Sequence, residues 1–417
     1  MEDLTLLCND AFKVLDVLKQ REVYNNNDIY SKCSQDEIAS YLHISRNSVR
    51  LHLKYLIDNN IICHYSHNAK FQITDYGNNI YAQLTKGRDI IKASNYNCIS
   101  LFAGVGGIDL GFKKAGFKTI YANEIDKNAV TTYSENFDIN VDHRDIHEVV
   151  KDIEKGKDPF DNKKFQILLA GFPCQAFSIA GYREGFEDKK GRGGLFFEIM
   201  KIVKAKQPEI IFLENVKNLV SHDKGKTFTI IRDALESQGY YLKYKVLNSM
   251  EYGNLPQNRE RIYIVAFKDE SMCDSFHFPF PINRTKTLHD VLDFHSQKDP
   301  RLYYTHDSFS HYDEIKDIIN NQNTVYQWRR VYVRENKSGV CPTLTANMGT
   351  GGHNVPLICT DHGIRKLTPR ECFRLQGYPD NYKLPKLANS HLYKQAGNSV
   401  SVTVIERIAN EILKVLK

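Results

Sequence analysis

Cysteine pairs, long apolar runs and a charge of one dominant sign are what this 417-residue chain has little of, and each shortage removes a class of protein. Its nine cysteines are odd in number, scattered, and never spaced Cys-x-x-Cys, which argues against a disulfide framework and a zinc site, so no metal is expected. No apolar stretch approaches the roughly 20 residues that span a bilayer, and the start MEDLTLLCND lacks the basic-then-apolar layout of a secretion signal. A cytoplasmic protein without membrane contact is expected. Lys and Arg total 56 against 50 Asp and Glu, and the resulting +6 is compatible with a polyanionic partner without demanding one. What is there is an ordinary globular composition, 41% hydrophobic and 25% charged, on a chain long enough for two or three compact units.

Ser34-Gln35-Asp36-Glu37 reads as a capping box opening a helix that carries Ile38 and Leu42. His43-Ile44-Ser45 then turns the chain. Val49, Leu53, Leu56 and Ile57 recur at helical spacing and leave Arg46, Asn47, Arg50 and Lys54 on another face. Two short runs, 61–65 and 70–73, predict a hairpin across the polar residues 66–69. Residues 1–92 together resemble a winged helix-turn-helix module. Two readings stand open: Arg46, Asn47 and Arg50 contact DNA, an operator among the candidates, or the face is solvated and the module serves dimerisation or packing.

Residues 97–102 form a short buried strand that runs into Ala103-Gly104-Val105-Gly106-Gly107 and then a helical stretch. A glycine turn lets backbone approach a ligand closely, and a second strand near 117–123 ends in Glu124, placed to bind two ribose hydroxyls. Asp145 follows the next such segment, where a carboxylate accepts from an adenine amino group. Taken alone the pattern leaves dinucleotide and phosphate ligands open. Downstream, the strand 165–170 delivers Gly171-Phe172-Pro173-Cys174-Gln175, with proline fixing the backbone just before a thiol. The strand 210–213 ends in Glu214-Asn215-Val216, and Arg259 and Arg261 precede the strand 262–267. Gln395 to Val400 is expected to open the last amphipathic helix, which bears Val404, Ile408 and Ile412.

These ordered blocks, with Arg370-Glu371-Cys372-Phe373-Arg374-Leu375-Gln376-Gly377-Tyr378-Pro379, resemble the DNA cytosine-5 methyltransferase family of the bacterial restriction-modification type over nearly everything after residue 95. The fold this implies is α/β: a Rossmann-like S-adenosylmethionine-dependent methyltransferase domain at 93–275 and 390–417, a small target-recognition region at 276–389, and the N-terminal module. Ser100 departs from the pattern, since many members carry an acidic residue there. The resemblance implies that Phe102, Gly104, Val105, Gly107, Glu124, Ile125, Asp145, Ile146, Pro173, Leu195, Asn398, Ser399 and Val400 hold the cofactor. It further implies a catalytic set of Cys174, Glu214, Arg259 and Arg261. Cytosine C5 is a poor nucleophile, so a thiolate at Cys174 would add to C6, Glu214 would steady N3, and the two guanidinium groups would hold the O2 side and the sulfur region.

The target base is stacked in a duplex and must be turned out, and the glycine-rich stretch 175–194 has the composition of a lid that closes behind it. Gln175, Ser178, Arg329, Arg330, Arg334, Thr343, Gly351 and Gly352 are the DNA contacts expected of the lid and the recognition region. The expected partners are double-stranded DNA and a cognate restriction endonuclease, and the expected product is S-adenosylhomocysteine. A cytosine-5 RNA methyltransferase and a regulator using the fold as a cofactor sensor are the competing readings. Duplex DNA against transfer RNA as methyl acceptor separates the first from the main one.

Overall fold

Apolar runs four to seven residues long, buried on both faces, set the plan of the larger part of the chain. The computed structural model describes residues 9–25, 28–42, 44–66, 70–85, 96–173, 194–329 and 331–416. They fall into two units, one built from 1–92 with 277–283 and the other from 93–276 with 284–417.

The first unit runs α1 (Asn9–Gln20), β1 (Glu22–Asn25), β2 (Asp28–Lys32), α2 (Gln35–Leu42), α3 (Arg46–Asp58), β3 (Ile62–Ser66), β4 (Lys70–Ile73) and α4 (Asp75–Thr85). The capping box forms as the sequence predicts: Ser34 N donates to Glu37 Oε2 at 2.7 Å and Glu37 N donates to Ser34 Oγ at 3.2 Å. Ser45 caps α3 by accepting from Ser48 N. Ile38, Val49, Leu53 and Leu56 join Val14, Leu15 and Leu18 of α1 in one core. The strands make an antiparallel sheet ordered β1-β2-β4-β3. The segment 277–283 completes this unit: the Arg21 guanidinium lies 3.8 Å from the centre of the Phe280 ring, and Tyr41 packs on the same ring at 4.1 Å.

The second unit is organised by a seven-stranded sheet. β5 (Asn97–Leu101), β6 (Lys118–Asn123), β7 (Val141–Asp142), β8 (Ile167–Ala170), β9 (Ile210–Val216), β10 (Tyr241–Asn248) and β12 (Glu260–Phe267) stand in the order β10-β12-β9-β8-β5-β6-β7. The two-residue strand β11 (Gln257–Asn258) belongs to another ladder. β5 to β9 pair parallel, while β12 and β10 add antiparallel. Helices α5 (Gly107–Lys114), α6 (Lys127–Ser134), α7 (Ile146–Glu154) and α8 (Leu195–Lys206) connect or flank these strands. Chain order reverses beside β5, which opens a crevice at the carboxyl ends of the parallel strands.

The expected recognition region does not separate as a unit of its own. Apart from 277–283 it shares a core with the sheet: Leu288, Leu292, Phe294, Leu344 and Met348 cluster with Val105, Ala129, Tyr133 and Phe137. Within it, four short strands, 326–328, 333–335, 357–360 and 363–366, form a small antiparallel sheet. The C-terminal expectation needs correction. Gln395–Val400 does not open the last helix; it closes the helix Asn389–Asn398, and Ser399 is extended before a separate helix, Val402–Val415. The break is tolerated because the carbonyls it frees, those of Gly397 and Ser399, accept from the buried guanidinium of Arg259.

Candidate active site

The ends of β5, β6, β8 and β9 converge on one cavity of about 510 Å³, and every residue expected to hold a cofactor, from Phe102 to Val400, lines it. Glu214, Arg259 and Arg261 line it as well. Cys174, Gln175, Ser178 and Arg330, with the lid stretch 175–193, lie outside the described residues; Pro173, one residue before the thiol, is on the cavity wall.

The cofactor side is built by tight backbone. Phe102 has φ 54°, a left-handed conformation that costs a side-chain-bearing residue about 1–2 kcal/mol, so the turn after β5 holds strain at the wall of the cavity. Gly104 has φ 56°, and a Cβ added to it would meet nothing within 4 Å, so a side chain there would project into open space beside the cavity. Glu124 Oε2 accepts from Gly104 N and Oε1 from Asp126 N, both at 2.8 Å, which fixes the carboxylate across the turn and leaves lone pairs for hydroxyl donors. Burial lifts its pKa, opposed by those backbone donors. Ile125 beside it is 60% exposed, an apolar face presented at the cavity wall. Asp145 caps α7 by accepting from His147 N, a bond that lowers its pKa. A carboxylate with lone pairs to spare, an apolar platform and a second carboxylate at the strand ends have the chemistry to fit a nucleoside.

Beneath the turn lies a group that sequence reasoning missed. Asp109, fully buried in the first turn of α5, accepts from Ser100 Oγ at 2.8 Å and from Thr119 Oγ1 and Tyr133 Oη at 3.0 Å each. Burial raises its pKa against these three donors. An acidic side chain therefore sits against position 100 although residue 100 is a serine. Its signal was the Gly-Gly-Ile-Asp continuation of the glycine turn.

On the opposite wall, β9 and β12 pair so that Tyr263 stands across from Glu214 and Arg261 from Val216. Arg261 Nε lies 3.2 Å from Glu214 Oε1, but the approach is not aligned as a hydrogen bond, and that buried oxygen has no hydrogen-bond partner. Burial raises the Glu214 pKa against the pull of Arg261 and then Arg259. The two guanidinium groups expected to hold the O2 side and the sulfur region have different surroundings. Arg259 is 1% exposed and its terminal nitrogens donate to the carbonyls of Leu344, Gly397 and Ser399, while Arg261, among the described residues, donates to the carbonyl of Glu260 and pairs with the carboxylate of Glu214. Asn215, not expected as a site residue, donates from Nδ2 to Phe172 O at 2.9 Å and so fixes the chain just ahead of residue 174.

The remaining expected residues stand apart from the cavity. Arg329 and Arg334 are exposed on the hairpin 326–335, and Arg329 donates to Gln327 at 3.0 Å. Thr343 Oγ1 donates to Asn258 O, and Gly351 and Gly352 both have positive φ, 83° and 65°, after the turn 346–350. Arg46, Asn47 and Arg50 are exposed on α3 of the other unit. No helix among the described residues is long and apolar enough to cross a membrane, and no group of three metal-binding side chains occurs among them.

Residues 96–414 match the model of the C-5 cytosine-specific DNA methylase family. The chain is 57% identical over 317 residues to the Type II methyltransferase M.Bsp6I of Bacillus sp. (strain RFL6), a match covering 76% of this chain and 98% of that protein. It is 38% identical over 325 residues to the Type II methyltransferase M.HhaI of Haemophilus parahaemolyticus, covering 75% of this chain and 93% of that one. Among solved structures, the S. pombe Dnmt2 methyltransferase superposes with a TM-score of 0.57 over 77% of this chain and 99% of that chain, at 19% identity, a likeness of fold alone.

Proposed function

Because the chain belongs to the C-5 cytosine-specific DNA methylase family, we propose that it methylates C5 of a cytosine turned out of duplex DNA, with Cys174 as nucleophile and S-adenosylmethionine as methyl donor. The observation that carries this reading is the shared cavity: a buried carboxyl lacking a hydrogen-bond partner on one oxygen, with a guanidinium beside it, faces the same space as the nucleoside-fitting strand ends. Glu124, Ile125 and Asp145 would hold the ribose and adenine. When bound, that cofactor supplies an electrophilic methyl group on a sulfonium and leaves as S-adenosylhomocysteine.

The chain's own residues do the rest. Turning the base out costs about a few kcal/mol, which phosphate and groove contacts of the hairpin 326–335 and the segment 343–352 would offset. Cys174 adds as a thiolate to C6, and the C5–C6 electron pair shifts toward C5. Glu214, whose pKa burial raises, shares a proton with ring N3, and Arg261 steadies O2. After methylation a water removes the C5 proton, the C5–C6 double bond re-forms, and the thiolate departs. Cys174→Ser should abolish methyl transfer to duplex DNA while leaving S-adenosylhomocysteine binding within about twofold of wild type. DNA carrying 5-fluorocytosine should trap wild type, and not the variant, in a complex that survives denaturation. Turnover by the serine variant, or methyl transfer to transfer RNA in preference to duplex DNA, defeats the proposal.

The setting proposed is the modification half of a restriction-modification system in the cytoplasm, with a cognate endonuclease as genetic partner. It is supported by the Type II relatives. Residues 1–92 lie outside the family match, which starts at residue 96. Their helix α3 exposes Arg46, Asn47, Arg50 and Lys54 on one face. That face favours a second, separate DNA site through which the protein represses its own gene, tested by retardation of the upstream DNA.

A further inference from the structure

Both terminal nitrogens of Arg259 donate to main-chain carbonyls, and the two places they reach belong to different ligand surfaces. One terminal nitrogen donates to Leu344 O at 2.8 Å, in the stretch Thr343-Leu344-Thr345 that leads into the turn ending at Gly351 and Gly352. The other donates to Gly397 O at 3.3 Å and to Ser399 O, both in residues that line the cavity. Close packing joins the same two surfaces directly. A Cβ on Gly397 would lie 2.1 Å from the carbonyl carbon of Thr345, and one on Gly349 would lie 2.4 Å from Ser390 O, so backbone rests on backbone. Gln257 closes the clasp, accepting from Leu344 N at 3.2 Å and donating to Leu375 O at 2.8 Å.

We propose that Arg259 is a positioning residue that couples the two sites: ordering of the wall 397–400 by a nucleoside in the cavity is passed to the segment 343–352 and tightens its grip on duplex DNA. This rests on the reading above, in which the cavity takes S-adenosyl compounds and that segment meets DNA. A guanidinium suits the task because its planar fork serves acceptors on two chain segments at once, which the point charge of a lysine does not. Coupling of binding free energies is reciprocal, so DNA must tighten the nucleoside by the same factor. Arg259 thereby acts through backbone by its terminal nitrogens.

The full-length protein, S-adenosylhomocysteine and unmethylated lambda phage DNA test it. The dissociation constant of S-adenosylhomocysteine is measured by calorimetry with and without saturating DNA. The wild-type ratio should be about tenfold or more, within the usual range of such couplings. In Arg259→Gln the ratio should fall to within about twofold of unity while binding without DNA changes less. A wild-type ratio near one, or an Arg259→Gln protein that keeps its ratio, overturns the coupling alone. Failure of wild type to bind S-adenosylhomocysteine defeats the underlying reading and the coupling with it. Should Arg259→Gln not fold, Arg259→Lys retains the buried cation but not the fork; a ratio lowered at least about threefold supports the proposal, and an unchanged ratio overturns it.

Discussion

Glu214 stands where chemistry and stability pull in opposite directions. Its carboxyl is buried with one oxygen lacking a hydrogen-bond partner, and burial raises its pKa above the usual carboxylate range despite Arg261. The unfolded chain therefore gives up this proton more readily than the folded one, and stability present at low pH is lost as pH rises toward the folded-state pKa. Glu214→Gln removes that loss. Its melting temperature should exceed that of wild type, with a gap that widens from about pH 4.5 upward, while kcat falls about a hundredfold or more because the amide cannot share a proton with N3. Thermal scans across pH beside single-turnover rates check both halves; a gap that narrows with pH contradicts the assignment. Glu124, Glu214 and Arg261 were legible in the sequence because each sits in a contiguous block at a strand end. The backbone role of Arg259 is not legible beside Arg261, since nothing within its own block reveals that its acceptors lie 85 and 138 residues away. Asp109 was passed over for the same reason: its three donors come from β5, β6 and α6.

At the level of elements, local signals did well where the caps are made of adjacent residues. The Ser34–Glu37 box and the Ser45 cap bracket α2 and α3 as the sequence predicts, and 62–66 pairs with 70–73. Helix α1 and the β1–β2 pair went unread, although Ala11, Val14, Leu15 and Leu18 recur on one face of α1. The break at Ser399 had no local signature, because Ser-Val-Ser is a mild sequence and the carbonyls are satisfied from Arg259, the residue before β12, rather than by a neighbour. For α3 the consequence is testable. Arg50→Ala removes one cation from a face on which the ion pair of Arg46 with Asp36, at 3.4 Å, is solvent-exposed and contributes little. Affinity for the upstream DNA should fall about tenfold, equivalent to the lower part of the 1–3 kcal/mol range of a base contact, with methyl transfer rates unchanged. Gel retardation at fixed salt reads it, and equal retardation of both proteins would remove the regulatory role.

For the whole molecule, the composition led to two or three units, and the boundary near residue 92 was visible as the end of the hairpin module and the start of the cofactor strand. What composition could not show is that 277–283, lying in sequence between the sheet and the recognition strands, belongs to the N-terminal core. The relative M.Bsp6I is matched over 98% of its length by 317 residues of this chain, so removal of 1–92 should leave methyl transfer intact. The truncated protein should nonetheless aggregate, because Phe280 loses Arg21 and Tyr41 and becomes an exposed aromatic. Phe280→Ser in the truncated chain should restore solubility, measured by light scattering; a truncated protein that is already soluble would show that this contact matters little.

The heptapeptide also bears on how such a protein arises. Joining two genes end to end yields a bead on a string, whereas here a loop of the downstream enzyme supplies a ring to the upstream bead. Inheritance of the N-terminal unit is therefore tied to a second locus nearly two hundred codons away, and a transplant that ignores that locus moves an incomplete part.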